Sequence, residues 1–131
     1  MKRIDLNGLW QFKAVGSKKT LPREHTNVHD WMAASVPGTV HTDLMAAGRI
    51  PDPFVRMNEH EVQWVDSERW LYRKEFEVGK EILGEDVIYL VAEGLDTYAR
   101  IKLNGKTVGN TANMFVEHRF KVKRFLKAGK N

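Results

Sequence analysis

Between Val55 and Trp70 the chain reads VRMNEHEVQWVDSERW, which sets Asn58, Glu59, His60, Glu61, Trp64, Asp66 and Glu68 within sixteen positions. Paired carboxylates cleave glycosidic bonds when one serves as acid and the other as nucleophile or base, at separations of about 5–10 Å. Glu59 and Glu61 on one face of an extended segment would stand about 7 Å apart. Any two acids two positions apart on a strand reach that spacing, however. Nothing in the flanking sequence would enclose one of them in the apolar surroundings that make a general acid. The pair is therefore not assigned a catalytic role, and neither is any other residue of the chain.

The other reactive side chains fare no better. His60 sits in HEVQW, which lacks the second histidine that a helical HExxH zinc site needs. His25 and His29 form the one close histidine pair, in a polar stretch where two solvated rings are the simpler reading than a metal site. The glycines of AEGLDTYARIKLNGKTVG are spaced for turns and not for a phosphate cradle at a helix N-terminus. Ser17, Ser35 and Ser67 have no nucleophile-elbow context. Neither a metal nor a cofactor is expected. What remains is a sugar-facing type of surface, an aromatic ring with amide and carboxylate groups beside it. Asn58, Glu59 and Trp64 fit it in kind. Trp70 opens the alternating RWLYRKEF and reads as core, as do Trp10 and Trp31.

These residues need a scaffold, and its scale is set by 131 residues, 42% of them apolar and 29% charged: one globular domain, residues 1–131. The apolar run VIYLVA is too short to span a bilayer, and MKRIDLNGLW lacks the apolar stretch of a secretory signal. No membrane association is expected, and the absence of cysteine suits a reducing, cytoplasmic setting. The net charge of +4 is concentrated in HRFKVKRFLKAGK. There Phe120, Val122 and Phe125 alternate toward a core while the basic residues line a solvated side, which disfavours a nucleic-acid partner.

Alternation marks the strands. In GLWQFKAV, Trp10, Phe12 and Ala14 oppose Leu9, Gln11 and Lys13; residues 16–30 read as a polar loop. SVPGTVHTDLMAAGRIPD carries the one helical signal, with Thr39 or Thr42 as N-cap, Val40, Leu44 and Met45 on one side, and Gly48 as the stop. Trp70, Tyr72, Lys74 and Phe76 define the next strand face, and Val87, Tyr89 and Val91 the one after it. Asn104–Gly105 closes a hairpin between Ala99, Ile101, Leu103 and the strand resuming at Val108. LKAGKN reads as a turn with no returning strand. Short strands, one short helix and no crossover helices predict an all-β antiparallel sandwich.

Three stretches occur here in the order seen in β-mannosidases: LNGLWQF, then VPGTVHTDLMAAGRIPDPF with NEHEVQWVDSERWLYRKEF, then EGLDTYARIKLNGKTVGNTANMFVEHRFKV. From Leu6 to Asn131 the chain resembles the N-terminal sugar-binding domain of glycoside hydrolase family 2, in its β-mannosidase branch. The resemblance implies a jelly-roll sandwich of the galactose-binding-domain-like type. It also implies a parent enzyme that releases terminal non-reducing β-D-mannose with retention. In that family both catalytic glutamates lie on a separate (β/α)8 barrel, so this chain would be a non-catalytic domain incomplete at its C-terminal end. Its partners would be the downstream immunoglobulin-like and barrel domains and a mannoside substrate. By the same resemblance Asn58 occupies the position of an asparagine that reaches the active-site entrance, with Glu59 and Trp64 on the same rim. Two departures stand out: the family often has aspartate where Ala112 and Lys121 stand, so any polar contact made there is lost. A free-standing carbohydrate-binding module and a basic nucleic-acid binder are the alternative readings. An open sheet edge would allow a homo-oligomer.

Overall fold

The computed structural model describes residues 2–17, 28–48, 65, 68–93, 98–112 and 117–131. It divides into two compact units, Asp5–Lys74 and Glu75–Asn131 with Met1–Ile4. Every strand pairing in both is antiparallel.

In Asp5–Lys74, strand β1 (Gly8–Ser17) lies between β2 (Met32–Val36) and β3 (Glu68–Arg73). Phe12 is level with Met32 on one side and Tyr72 on the other. The alternation read in the sequence holds: Phe12 and Ala14 are buried, Trp10 packs beside them, and Leu9 is 70% exposed. Phe12, Ala14, Val28, Met32, Ala34, Leu44 and Val65 make one core, with Trp70 and Tyr72 against it. The Phe12 ring lies 5.2 Å from Tyr72 and 5.8 Å from Trp70 between centroids. Trp31 departs from expectation. One residue before Met32, it takes the opposite parity and lies half-buried beneath the Arg73 guanidinium, 3.6 Å from its ring centroid.

The helix lies where its caps placed it. α1 (Val40–Ala46) follows a cis Val36–Pro37 bond and is N-capped by Thr39. Thr42 N donates to Thr39 Oγ1 at 3.1 Å while Thr39 N donates to Thr42 Oγ1 at 3.0 Å, a reciprocal box that satisfies two amides. Gly48, at φ +71, turns the chain out of the helix. Seven residues cannot hold a helix in water unaided, so burial of Leu44 and Asp43 must hold it in place. Thr39→Ala should cost about 1 kcal/mol, read as a lower denaturant midpoint with unchanged slope.

In Glu75–Asn131, the pairs are β4 (Glu77–Val78) with β9 (Gly129–Lys130), β5 (Tyr89–Ala92) with β8 (His118–Lys121), and β6 (Ala99–Leu103) with β7 (Lys106–Thr111). One-turn helix α2 (Lys80–Leu83) and a 3-10 turn at Lys123–Phe125 join them. The hairpin turn is as expected, with Asn104 at φ 52 and Gly105 at φ 81. The Asn104 amide donates to Phe125 O at 2.7 Å and to Asn131 Oδ1 at 2.8 Å. The LKAGKN segment is more than a turn. β9 lies within it, and Asn131 exchanges backbone bonds of 2.8 and 3.1 Å with Phe76.

The face of β5 is the reverse of the one expected. Val87, Tyr89 and Val91 are exposed, while Leu90 lies half-buried opposite Phe120 of β8. VIYLVA is apolar at both parities, so alternation alone could not choose; pairing with β8 does. Gly109 on β7 lies where a Cβ would run into the edge of the Phe120 ring, within 2.9 Å of Cδ1. On the solvated side of the basic end, Arg119 pairs with Glu117 and Lys130 with Glu75, both at 3.0 Å. Among the described residues no helix is long and apolar enough to cross a membrane.

Candidate functional site

Asn58, Glu59 and Trp64 lie outside the described residues, as do His60 and Glu61. The structure describes the residues that precede and follow 49–64, within the unit Asp5–Lys74.

At the entry, α1 is tied down by a buried carboxylate. Asp43, 4% exposed, accepts Ser35 N from β2 on Oδ1 at 2.9 Å and the Tyr72 hydroxyl from β3 on Oδ2 at 2.8 Å. Charge-assisted bonds of this kind are stronger than neutral ones. Asp43 therefore joins β2, α1 and β3 at one point. Each of its oxygens is engaged by a donor from a different strand, which makes it a fastening. Its one signal in the sequence is an acid between Thr42 and Leu44, next to the apolar side of a short helix.

At the exit, Val65 is 2% exposed and its carbonyl accepts Trp70 Nε1 at 3.1 Å. Trp70 is thus core on its ring face, as expected, and a clasp through its N–H. Glu68 differs from its neighbours in the acidic stretch. It is buried at the head of β3, 7% exposed, and takes Arg69 N on Oε1 at 3.1 Å. Of the histidine pair, His29 contacts Ala14 O through Nδ1 at 3.2 Å, and His25 lies outside the described residues. Among the described residues no three histidine or carboxylate side chains converge as a metal site. Ala112 and Lys121 are both exposed.

Among the described residues every ladder is antiparallel, and a box-capped short helix precedes the polar and aromatic residues of 49–64. Residues 10–131 match the family described as "Glycosyl hydrolase 2 galactose-binding domain-like", and the chain belongs to that family. It is 36% identical over 118 residues to β-mannosidase B of Emericella nidulans, covering 89% of this chain and 13% of that protein. With β-mannosidase B of Thermothelomyces thermophilus it shares 37% identity over 130 residues, covering 98% and 14%. The crystal structure of β-D-mannosidase from Dictyoglomus thermophilum superposes with a TM-score of 0.87 at 52% identity, over all of this chain and 15% of that one. A β-glucuronidase from Bifidobacterium dentium, 20% identical with a TM-score of 0.64 over 95% of this chain and 18% of its own, shares the fold. The chain therefore spans about one seventh of the relatives it matches, and corresponds to an N-terminal domain of theirs.

Proposed function

We propose that this chain is the non-catalytic N-terminal domain, residues 1–131, of a retaining β-mannosidase, and that it supplies scaffold and part of the wall of the mannose pocket. The observation that carries this reading is the 52% identity to a β-D-mannosidase over the entire chain. The catalytic glutamates belong to a (β/α)8 barrel elsewhere in the polypeptide, which together with an immunoglobulin-like domain makes up the chain's partners. Asn58, Glu59 and Trp64 face the sugar, from the part of the chain between α1 and Val65. A cysteine-free chain suits a cytoplasmic setting. No nucleic-acid partner belongs to this reading, in which the basic residues of 118–127 alternate with Phe120 and the buried Val122 as the solvated side of a strand. A strand-edge homo-oligomer is part of the reading, and light scattering on the full-length protein decides it.

The test uses a nitrophenyl β-mannoside. The full-length protein should hydrolyse it and the 131-residue chain should release no nitrophenol above a blank. Asn58→Ala in the full-length protein should lower kcat/KM by about 10–100-fold, the worth of a strong hydrogen bond in a closed site. Hydrolysis by the chain alone, or an unchanged kcat/KM in the variant, rejects the assignment. Titration calorimetry with mannose and mannobiose addresses the alternative of a free-standing carbohydrate-binding module; millimolar ligand should give no heat with the chain alone.

A further inference from the structure

Among the described residues, the core lies on one face of the β2–β1–β3 sheet. Phe12, Ala14, Met32 and Ala34 point into it, and the alternate residues of the same strands point away. On that outward face Leu9 is 70% exposed and Leu71 44% exposed. Its charged positions are Lys13, Arg69 and Arg73, and the outward parity of the three strands holds no Asp or Glu.

The cations are ordered in advance. Arg73 Nε donates to Gln11 Oε1 at 2.9 Å, and its guanidinium lies 3.6 Å from the Trp31 ring centroid. Lys13 Nζ sits 4.7 Å from the centroid of the same ring. Among the described residues no ion pair neutralises either one. Two like charges gathered on one indole repel each other, and an anion brought between them would turn that repulsion into attraction. Arginine and tryptophan beside exposed leucine is the composition of an interface centre, and fixing the side chains beforehand reduces the entropy cost of binding.

The occupant follows from charge and from chain length. Two copies of an acid-free, cationic face repel each other, which disfavours a symmetric dimer through it. Nucleic acid would leave Leu9 and Leu71 without a contact. The matched relatives are about seven times longer than this chain, and a covalently attached domain is present at high effective concentration. We propose that the outward face of β2–β1–β3 is the docking surface for another domain of the same polypeptide, one that presents an Asp or Glu to Lys13 and Arg73 and an apolar side chain to Leu71. This rests on the chain being one domain of a longer polypeptide and is independent of which glycoside that polypeptide cleaves.

Zero-length carbodiimide coupling of the full-length protein tests it, because an amide forms only where an amine and a carboxylate already touch. The expected product is an intramolecular amide, at monomer mass, between Lys13 and an acidic residue outside residues 1–131. Its yield should fall about tenfold in Arg73→Glu, where charge reversal repels the same carboxylate; if that variant does not fold, the wild-type product carries the test. Coupling of Lys13 only within residues 1–131, coupling to a second copy at dimer mass, an uncoupled Lys13, or a mature polypeptide ending at residue 131 overturns the proposal. Aryl β-mannoside hydrolysis, measured on the same preparation, reports separately on the proposed function.

Discussion

Phe12→Ala is expected to lower the unfolding free energy of the 131-residue chain by about 3–5 kcal/mol, a large part of what a domain of this size commands. Phe12 is fully buried at the middle of the central strand and touches residues from both neighbours. Truncation removes the transfer energy of the ring and the contacts it makes with Tyr72 and Trp70. It also leaves a cavity that closes only as far as core neighbours such as Met32, Leu44 and Val65 can shift into it. Urea unfolding followed by tryptophan fluorescence measures the loss. Leu9→Ala is the internal comparison, on the same strand with the opposite parity; at 70% exposed it should change stability by less than about 0.5 kcal/mol. Equal effects from the two would refute the assignment of faces.

Asp43→Ala comes next, at about 2–4 kcal/mol, for a different reason. The substitution removes the carboxylate that accepts from both the Ser35 amide and the Tyr72 hydroxyl, and leaves a gap where a buried side chain stood. Asp43→Asn separates charge from connectivity. The Asn carbonyl can still accept from Ser35 N, and its amide can donate to Tyr72 once that hydroxyl reverses its role. It should therefore cost about 1 kcal/mol, well short of the Ala variant. Tyr72→Phe combined with Asp43→Ala should cost less than the sum of the singles, since both remove one bond. Simple additivity would mean that the 2.8 Å contact contributes nothing. On the function proposed above, Asp43→Ala in the full-length protein should also lower aryl β-mannoside hydrolysis at temperatures where Asp43→Asn does not, because α1 precedes the residues that include Asn58.

Elements are legible in this chain where neighbouring side chains contrast and where caps and turns are local. β1 was readable because Trp10, Phe12 and Ala14 differ sharply from Gln11 and Lys13 between them. α1 was readable from Thr39, Thr42 and Gly48, and the hairpin from Asn104–Gly105, since caps and turns are local chemistry. β2 went unassigned. Its MAASV alternates a buried Met32 and Ala34 with an exposed Ala33 and Ser35, and two alanines on opposite faces carry no contrast. Val28, fully buried, was hidden in a run of polar residues read as loop. VIYLVA failed the other way, with too much apolarity to reveal a side. The placement of the candidate sugar-facing residues was never legible from physics alone. Asn58, Glu59 and Trp64 fit a sugar-facing surface in kind, as an amide, a carboxylate and an indole, and it was the resemblance to family 2 that gave them a position. The carboxylates that first drew attention divide: Glu68 is buried, and Glu59 and Glu61 lie outside the described residues.

The close approach of Gly109 to Phe120 bears on how this chain can change over generations. The space where a methyl group would sit at 109 is already filled by the ring from the neighbouring strand, so the two positions share one volume. A side chain gained at 109 is tolerated only together with one lost at 120, as in Gly109→Ala with Phe120→Leu. Taken singly, the first change collides and the second leaves a hole. Selection therefore sees the two sites as a single locus, passing through a less stable intermediate whichever change comes first.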